Sequence, residues 1–306
     1  MSLAVVSHPA CERYSLPAPY PDQPGRLDAV NDQLIASGLD PLVRHVEAKA
    51  ATDAQITALH APQYLADLAR NLPESGWSAL DRDTLLVPGS LEAARGAAGA
   101  ALRAAELAMS GEAEAAFALT RPPGHHAGTS TAGGFCLLNH VAIAAHHARR
   151  NLNAERIAIV DFDAHHGDGT EGLVADCPEV RFFSLYQEGG FGAPAGPAPA
   201  NSSRIPLPVR CTGIELDALA RDTLFPALNS FQPDLLLFSA GFDGHRDEDL
   251  SDLRLSEGDF SRLVTECRAA SGTAVPPPTG LVLEGGYIPD VLGRCVTAVI
   301  KGLLTP

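Results

Sequence analysis

Residues 156 to 169 read RIAIVDFDAHHGDG. The first half is a short apolar run rich in Ile and Val and ending in Asp-Phe, which predicts a buried strand over 156 to 162. The second half has no strand or helix period and is made of Asp, His and Gly. A strand of that kind, buried on both faces and ending in reactive side chains, is the signature of a mainly parallel sheet whose ligand crevice lies beyond the carboxyl ends of its strands.

The rest of the chain repeats the pattern. Apolar runs at 3 to 6, 115 to 120, 180 to 185, 234 to 240 and 280 to 285 predict further strands. Segments of helical period separate them, at 26 to 37, 53 to 70, 90 to 109, 137 to 150, 214 to 230, 256 to 271 and 289 to 304. Alternation of this sort predicts an α/β fold, helices flanking a central mainly parallel sheet. In the helix over 90 to 109, Ser90 is placed to cap the start, and Gly96 and Gly99 on an Ala-rich face predict a close neighbour. Residues 71 to 89 and 187 to 203 read as loops, the second rich in Gly, Pro and Ala. No repeat and no linker divides the chain, so residues 1–306 are expected to form one domain.

Composition narrows the function. A formal net charge of −15 argues against a phosphate-contacting surface and hence against nucleic acid as partner, and suits a cationic partner better. The six cysteines, at 11, 136, 177, 211, 267 and 295, form no CxxC pair, which points to free thiols in a reducing compartment. The N-terminal residues have neither a basic region nor an apolar run long enough for a signal or an anchor. A cytoplasmic protein with no membrane partner is expected.

The reactive side chains fall just after four of the predicted strands. His125 and His126 follow one, Asp161 to Asp168 the next, Asp243 a third and Tyr287 a fourth. If the chain stays extended from Asp161 to His165, alternation turns Asp161, Asp163 and His165 to one side, and Asp243 in SAGFDGH (239 to 245) can join them. Three ligands and an open position make a catalytic metal site. An Asp-x-His triplet alone also suits hydrogen-bonded loop residues, and the donor set accommodates zinc, manganese or ferrous iron.

In RPPGHHA (121 to 127), a Pro-Pro-Gly turn presents two adjacent histidines that point different ways. Asp161 and Asp168 are available to orient them, each fixing a tautomer and raising basicity. His146 and His147, and likewise His8, His45, His60 and His140, carry no motif and read as solvated surface.

Together RPPGHHA, GGFCLLN (133 to 139), VDFDAHHGDGT (160 to 170), SAGFDGH and LEGGY (283 to 287) resemble the histone deacetylase superfamily, including bacterial histone-deacetylase-like amidohydrolases and acetylpolyamine amidohydrolases. The motifs occur in that family's order over residues 121 to 287, and PACERY and PGRLDAV also look familial. The resemblance implies an arginase-like fold and a metal-dependent deacetylase, a hydrolase of linear amide bonds acting on an acylated amine. It implies zinc on Asp163, His165 and Asp243, and His125-Asp161 and His126-Asp168 dyads. It also implies a Tyr287 hydroxyl directed to the substrate carbonyl, a Gly134 carbonyl that accepts from the substrate amide, and Phe135 lining an acyl-lysine tunnel. A potassium ion touching Asp161, Asp163, His165, Ser184 and Leu185 is usual in the family.

The chain also departs from the family pattern. Ile288 stands where relatives often have a polar residue, YPDQPGRL (20 to 27) lacks the usual His before its first proline, and the 187 to 203 loop is unlike the familiar tunnel segment. Phe191 is assigned there as the second tunnel wall. Polyamine-specific relatives tend to carry an acidic gatekeeper seven residues after the third metal ligand, and here that position is Leu250. Three functions stay open: a protein or peptide acyl-lysine hydrolase, an amidohydrolase of acetylpolyamines or other small molecules, and an acyl-lysine binding module without catalysis. Tyr287 argues against the last. The acidic run 247 to 249 reads as a solvated loop, and the oligomeric state is left open.

Overall fold

A computed structural model describes residues 2–194 and 196–305. Eight strands form one sheet: β1 (Leu3–Ser7), β2 (Arg44–Glu47), β5 (Ala115–Ala118), β6 (Ile157–Asp161), β7 (Val180–Gln187), β8 (Ser202–Leu207), β9 (Leu235–Ala240) and β10 (Thr279–Leu283). A separate antiparallel hairpin pairs β3 (Ser78–Ala79) with β4 (Leu85–Leu86). The large sheet has the order β2-β1-β5-β10-β9-β6-β7-β8, and every pairing in it is parallel.

Alternation along the strands builds three layers. Val5, Phe117, Val160, Phe183, Phe238 and Leu281 point to one face and pack with residues of the helices Gly25–Ala36, Glu257–Ala269 and Pro289–Leu304. Ile157, Ile159, Phe182, Leu235, Leu237 and Val282 point to the other, under residues of the helices Ser90–Met109 and His140–Asn151. A Cβ on Gly99 would overlap the Lys49 carbonyl, and one on Gly96 would overlap the His8 ring, so both glycines permit the expected close approach. Among the described residues no helix is long and apolar enough to cross a membrane, and the six cysteines are free.

Several boundaries differ from the sequence reading. The helix over 53 to 70 is two helices, Asp53–Ile56 and Pro62–Arg70. Pro62 forces Ala61 into an extended conformation (φ −60°, ψ 135°), and the Ala61 N–H goes to the Thr129 carbonyl instead of an intrahelical partner. The helix over 214 to 230 contains a π turn, Ala220–Leu224, just ahead of Pro226, which has no N–H to continue an α ladder. Ser90 does not cap its helix. Gly89 takes that position at φ 91°, and the Ser90 hydroxyl accepts from the Val87 N–H. Asn139 caps the helix that was expected to start at 137, its side chain accepting from the Ala142 N–H.

The two loops also hold strands. The 71 to 89 segment contains the hairpin, and the 187 to 203 segment ends by entering β8 at Ser202. The short helix Asp168–Val174 was not anticipated either, since DGTEGLV carries two glycines.

Candidate active site

The strand order explains why four separate segments meet. β5, β10, β9 and β6 are consecutive neighbours in the middle of the sheet, so the chain leaving each of them emerges at the same carboxyl edge. They deliver, in that order, His125 and His126, Tyr287, Asp243, and Asp161 to Asp168.

One ligand atom each from Asp163, His165 and Asp243 lie within 4.8 Å of one another. His165 Nδ1 stands 3.1 Å from Asp163 Oδ1 and 2.9 Å from Asp243 Oδ2. One ring nitrogen has at most one proton to offer, and Asp243 Oδ2 is buried without a hydrogen-bond partner despite that approach. Two buried carboxylates around one imidazole are the demand that a divalent cation meets, so the donor set fits a metal. The other oxygens are already held, Asp163 Oδ2 by the Gly285 N–H at 2.9 Å and Asp243 Oδ1 by the Ala164 N–H at 2.9 Å. Those bonds orient both carboxylates. Burial lowers the His165 pKa, but Asp243 and Asp163 outweigh it and raise it to about 10 in the metal-free site.

Asp161 is not part of this cluster, contrary to simple alternation. Its Oδ1 accepts the Asp163 N–H and its Oδ2 meets His125 Nδ1 at 3.0 Å, so it serves the neighbouring histidine instead. His126 Nδ1 meets Asp168 Oδ1 at 2.7 Å. The two rings lie 4.0 Å apart and differ electrically. Burial and the neighbouring His125 lower the His126 pKa to about 4, against the pull of Asp168. Burial also disfavours charge on His125, but Asp161 and Asp163 overcome it and hold that ring well above the usual imidazole range. Such a split is how adjacent groups divide acid and base roles.

His125, Cys136 and Glu284 form a second convergent set. His125 Nδ1 is already committed to Asp161, the Cys136 thiol donates to the Gly134 carbonyl, and burial holds that thiol well above its usual pKa. A buried, protonated cysteine is a poor metal ligand.

A cavity of about 170 Å³ leads to the Asp163-His165-Asp243 cluster, lined by His125, His126, Gly134, Phe135, Asp163, His165, Phe191, Leu250, Tyr287 and, unanticipated, Asp83. Gly134 and Phe135 are both left-handed (φ 53° and 70°). A Cβ on Gly134 would overlap the His126 ring, so glycine lets this turn press against the histidine. The hairpin supports the turn: Asp83 Oδ1 accepts the Gly134 N–H at 3.2 Å, and Thr84 Oγ1 accepts the Phe135 N–H at 3.3 Å. Phe191 stands edge-on to His126 at 4.9 Å, and Phe135 edge-on to Tyr287 at 5.5 Å. Ser184 pairs with Asp161 in the sheet, and its hydroxyl lies 2.9 Å from His166 Nδ1. A larger open groove lies against the helices Glu257–Ala269 and Pro289–Leu304, but no comparable acid-base cluster converges there.

Support for the site comes from residues the sequence reading passed over. Asp22 Oδ1 accepts from Arg26 (2.7 Å) and Arg121 (2.8 Å), its Oδ2 accepts from the Tyr14 hydroxyl, and Asp22 and both arginines are fully buried. Arg26 shares a helix face with Val30 and Leu34, and a charge at a core position of that stripe was the available signal. His60 and His140 are buried, not solvated. His60 Nδ1 donates to the Gly128 carbonyl at 2.8 Å while its Nε2 accepts from Asn139, and His140 Nε2 bonds the Pro122 carbonyl at 3.1 Å. Both brace the loop that carries the histidine pair. Glu248, placed by sequence in a solvated run, is also buried.

Comparison with known proteins gives the family. The model of the histone deacetylase domain matches residues 20–303. The histone deacetylase-like amidohydrolase of Pseudomonas aeruginosa is 32% identical, over 92% of this chain and 76% of that protein. The polyamine deacetylase HDAC10 of Mus musculus is 32% identical over 92% of this chain but only 44% of its own length. The crystal structure of the HDA15 HD domain superposes with a TM-score of 0.90 at 28% identity, covering 99% of this chain and 88% of that one. With a matching family model over nearly its whole length, a parallel sheet of the same architecture, and paired histidines beside a three-ligand cluster, the chain belongs to the histone deacetylase domain family and is a hydrolytic deacetylase.

Proposed function

We propose that residues 1–306 form a single zinc-dependent catalytic domain that hydrolyses acetyl or related acyl amides of lysine side chains in proteins or peptides. The observation that carries the reading is the buried Asp243 Oδ2, which accepts no well-formed hydrogen bond and faces only the His165 ring nitrogen at 2.9 Å, within a cluster of three candidate ligands. Two His-Asp dyads stand beside it. A divalent metal held by Asp163, His165 and Asp243 supplies Lewis acidity toward the amide carbonyl and the attacking water.

The chain's own residues do the rest. His126, whose Nδ1 is engaged by Asp168, keeps Nε2 to take a proton from the water. Tyr287 donates its hydroxyl hydrogen bond to the carbonyl oxygen as charge develops there, and burial keeps that phenol protonated. His125 or His126 then protonates the departing amine. Gly134 offers its carbonyl to the substrate N–H, and Phe135 and Phe191 wall the acyl-bearing stem. A potassium ion at Asp161, Asp163, His165, Ser184 and Leu185 belongs to the same proposal. Among the described residues no hydrogen bond uses the Asp163 or His165 carbonyl, which supports it. Free thiols suit a cytoplasmic location.

A second reading, hydrolysis of acetylpolyamines, is favoured by the likeness to HDAC10 and by Asp83 at the cavity. Leu250 at that cavity, 39% exposed, favours acyl-lysine, because an apolar wall offers a distal ammonium no ion pair. Specificity constants for acetyl-lysine peptides, acetylspermidine and acetylputrescine decide between the two. The wild type is expected to show no large preference for acetylpolyamines. Leu250→Glu should shift preference toward them by at least about tenfold, since a charge pair at the cavity mouth that the bound substrate covers contributes on the order of 1–2 kcal/mol. A wild type that already favours acetylpolyamines a hundredfold contradicts the acyl-lysine reading and directs attention to Asp83.

A further inference from the structure

Tyr287 has little to fix it. Among the described residues no hydrogen bond holds its hydroxyl. Its ring touches Phe135 edge-on, and the Arg26 guanidinium lies 4.7 Å from the ring centre. Gly285 and Gly286 precede it, the latter at φ 110°, and two glycines leave the backbone free to place the ring elsewhere. The position of the hydroxyl is therefore inherited from whatever grips the backbone around it.

Two opposite charges provide the grip. Arg26 donates from Nε to the Gly286 carbonyl at 2.6 Å and from Nη2 to the Glu284 carbonyl at 2.5 Å. Glu248 takes the amides: its Oε1 accepts the Tyr287 N–H at 2.9 Å and the Ile288 N–H at 3.0 Å. Glu248 is only 7% exposed, and its Oε2 is buried without a partner. The segment that carries it begins at Asp243 and is closed on it, because the Ser251 hydroxyl donates to the Asp243 carbonyl at 2.7 Å. The same short loop thus bears a metal ligand, the clamp on Tyr287 and the cavity residue Leu250. Burial and nearby Asp243 make this an expensive place for a carboxylate and raise its pKa to about 7. Charge-assisted bonds from two consecutive amides offset part of that cost.

We propose that Glu248 is a positioning residue of the reaction, holding the Tyr287 backbone so that the phenol hydroxyl meets the substrate carbonyl. The inference rests on the reading of Tyr287 as the carbonyl's hydrogen-bond donor. A double-mutant cycle on the metal-loaded enzyme tests it, with Glu248→Ala, Tyr287→Phe and the pair, scored by kcat, KM and metal content. Glu248→Ala should lower kcat at least about tenfold with KM and metal content unchanged, yet lower it less than about twofold once Tyr287 is Phe. Glu248→Gln, whose carbonyl oxygen accepts both amides, should recover most of the lost rate.

If Glu248→Ala does not fold, Glu248→Asp replaces it. Its carboxylate is one methylene shorter, so the same background-dependent loss is expected. An equal loss in both backgrounds, or full activity of folded Glu248→Ala (or of Glu248→Asp in its place) while Tyr287→Phe is impaired, overturns the inference alone. A fully active Tyr287→Phe removes the reading of Tyr287 and the inference together.

Discussion

At the scale of single residues, the site depends on charges that are buried and answered. Asp22 is the clearest case: burial disfavours its anion, but Arg121 and Arg26 hold its pKa below the ordinary 3.8. A carboxylate with a depressed folded pKa contributes stability in full above its unfolded value and loses it as pH falls through the folded one. Asp22 should therefore add to acid sensitivity only below about pH 4. Asp22→Asn leaves two buried guanidiniums without their anion and should cost about 3–5 kcal/mol in urea unfolding at neutral pH. A loss under about 1 kcal/mol would mean that the network is not the clamp described. His165 has the opposite sign: its pKa of about 10 in the metal-free site means that metal must displace a proton. Apparent metal affinity, measured against a competing chelator, should fall by up to about tenfold per pH unit between pH 9 and 7, and a flat profile would contradict the assignment. The candidate ligands stand out in sequence because Asp163, His165 and Asp243 sit in short motifs. Asp22, Arg26 and Glu248 were not, because what defines them is a backbone atom or a partner far along the chain, up to 260 residues away for Arg26 and Gly286.

At the scale of elements, the central strands could be read directly because both faces are buried and the sequence runs apolar without a break. The edge strands could not. β2 is RHVE and largely exposed, and β8 is SSRIPL, whose Pro206 lacks the N–H of a central strand. The turn over 133 to 136 is the element on which the chemistry leans most, since Gly134 packs against the His126 ring and is tied to Asp83. Gly134→Ala adds a methyl where the ring stands and should displace His126 from Asp168. A drop in kcat of about a hundredfold is expected, the size typical of a displacement near 1 Å, together with a loss of about 1 kcal/mol or more in stability, because alanine at φ 53° is strained. Retained activity would show that the turn can retreat without disturbing the dyad.

At the scale of the whole molecule, the order of strands in the sheet turns four sequence-distant segments into one site, with the candidate metal ligands at its base and Phe135, Phe191 and Leu250 along the cavity. The fall of the reactive side chains just after four apolar strand-like runs made that convergence readable in the sequence. The bracing beneath it, from Arg121 to Asp22 and from Arg26 to the Tyr287 loop, emerges only when the helix Gly25–Ala36 is docked on the sheet. The central claim is that one divalent metal, held by Asp163, His165 and Asp243, is required for amide hydrolysis. Metal analysis of the purified chain, paired with acetyl-lysine turnover before and after chelation and in Asp243→Ala, tests it most directly. We expect about one equivalent of zinc per chain, loss of activity on chelation, recovery with added zinc, and neither metal nor turnover in Asp243→Ala. Two equivalents of divalent metal per chain, or full turnover by the metal-free protein, would contradict it.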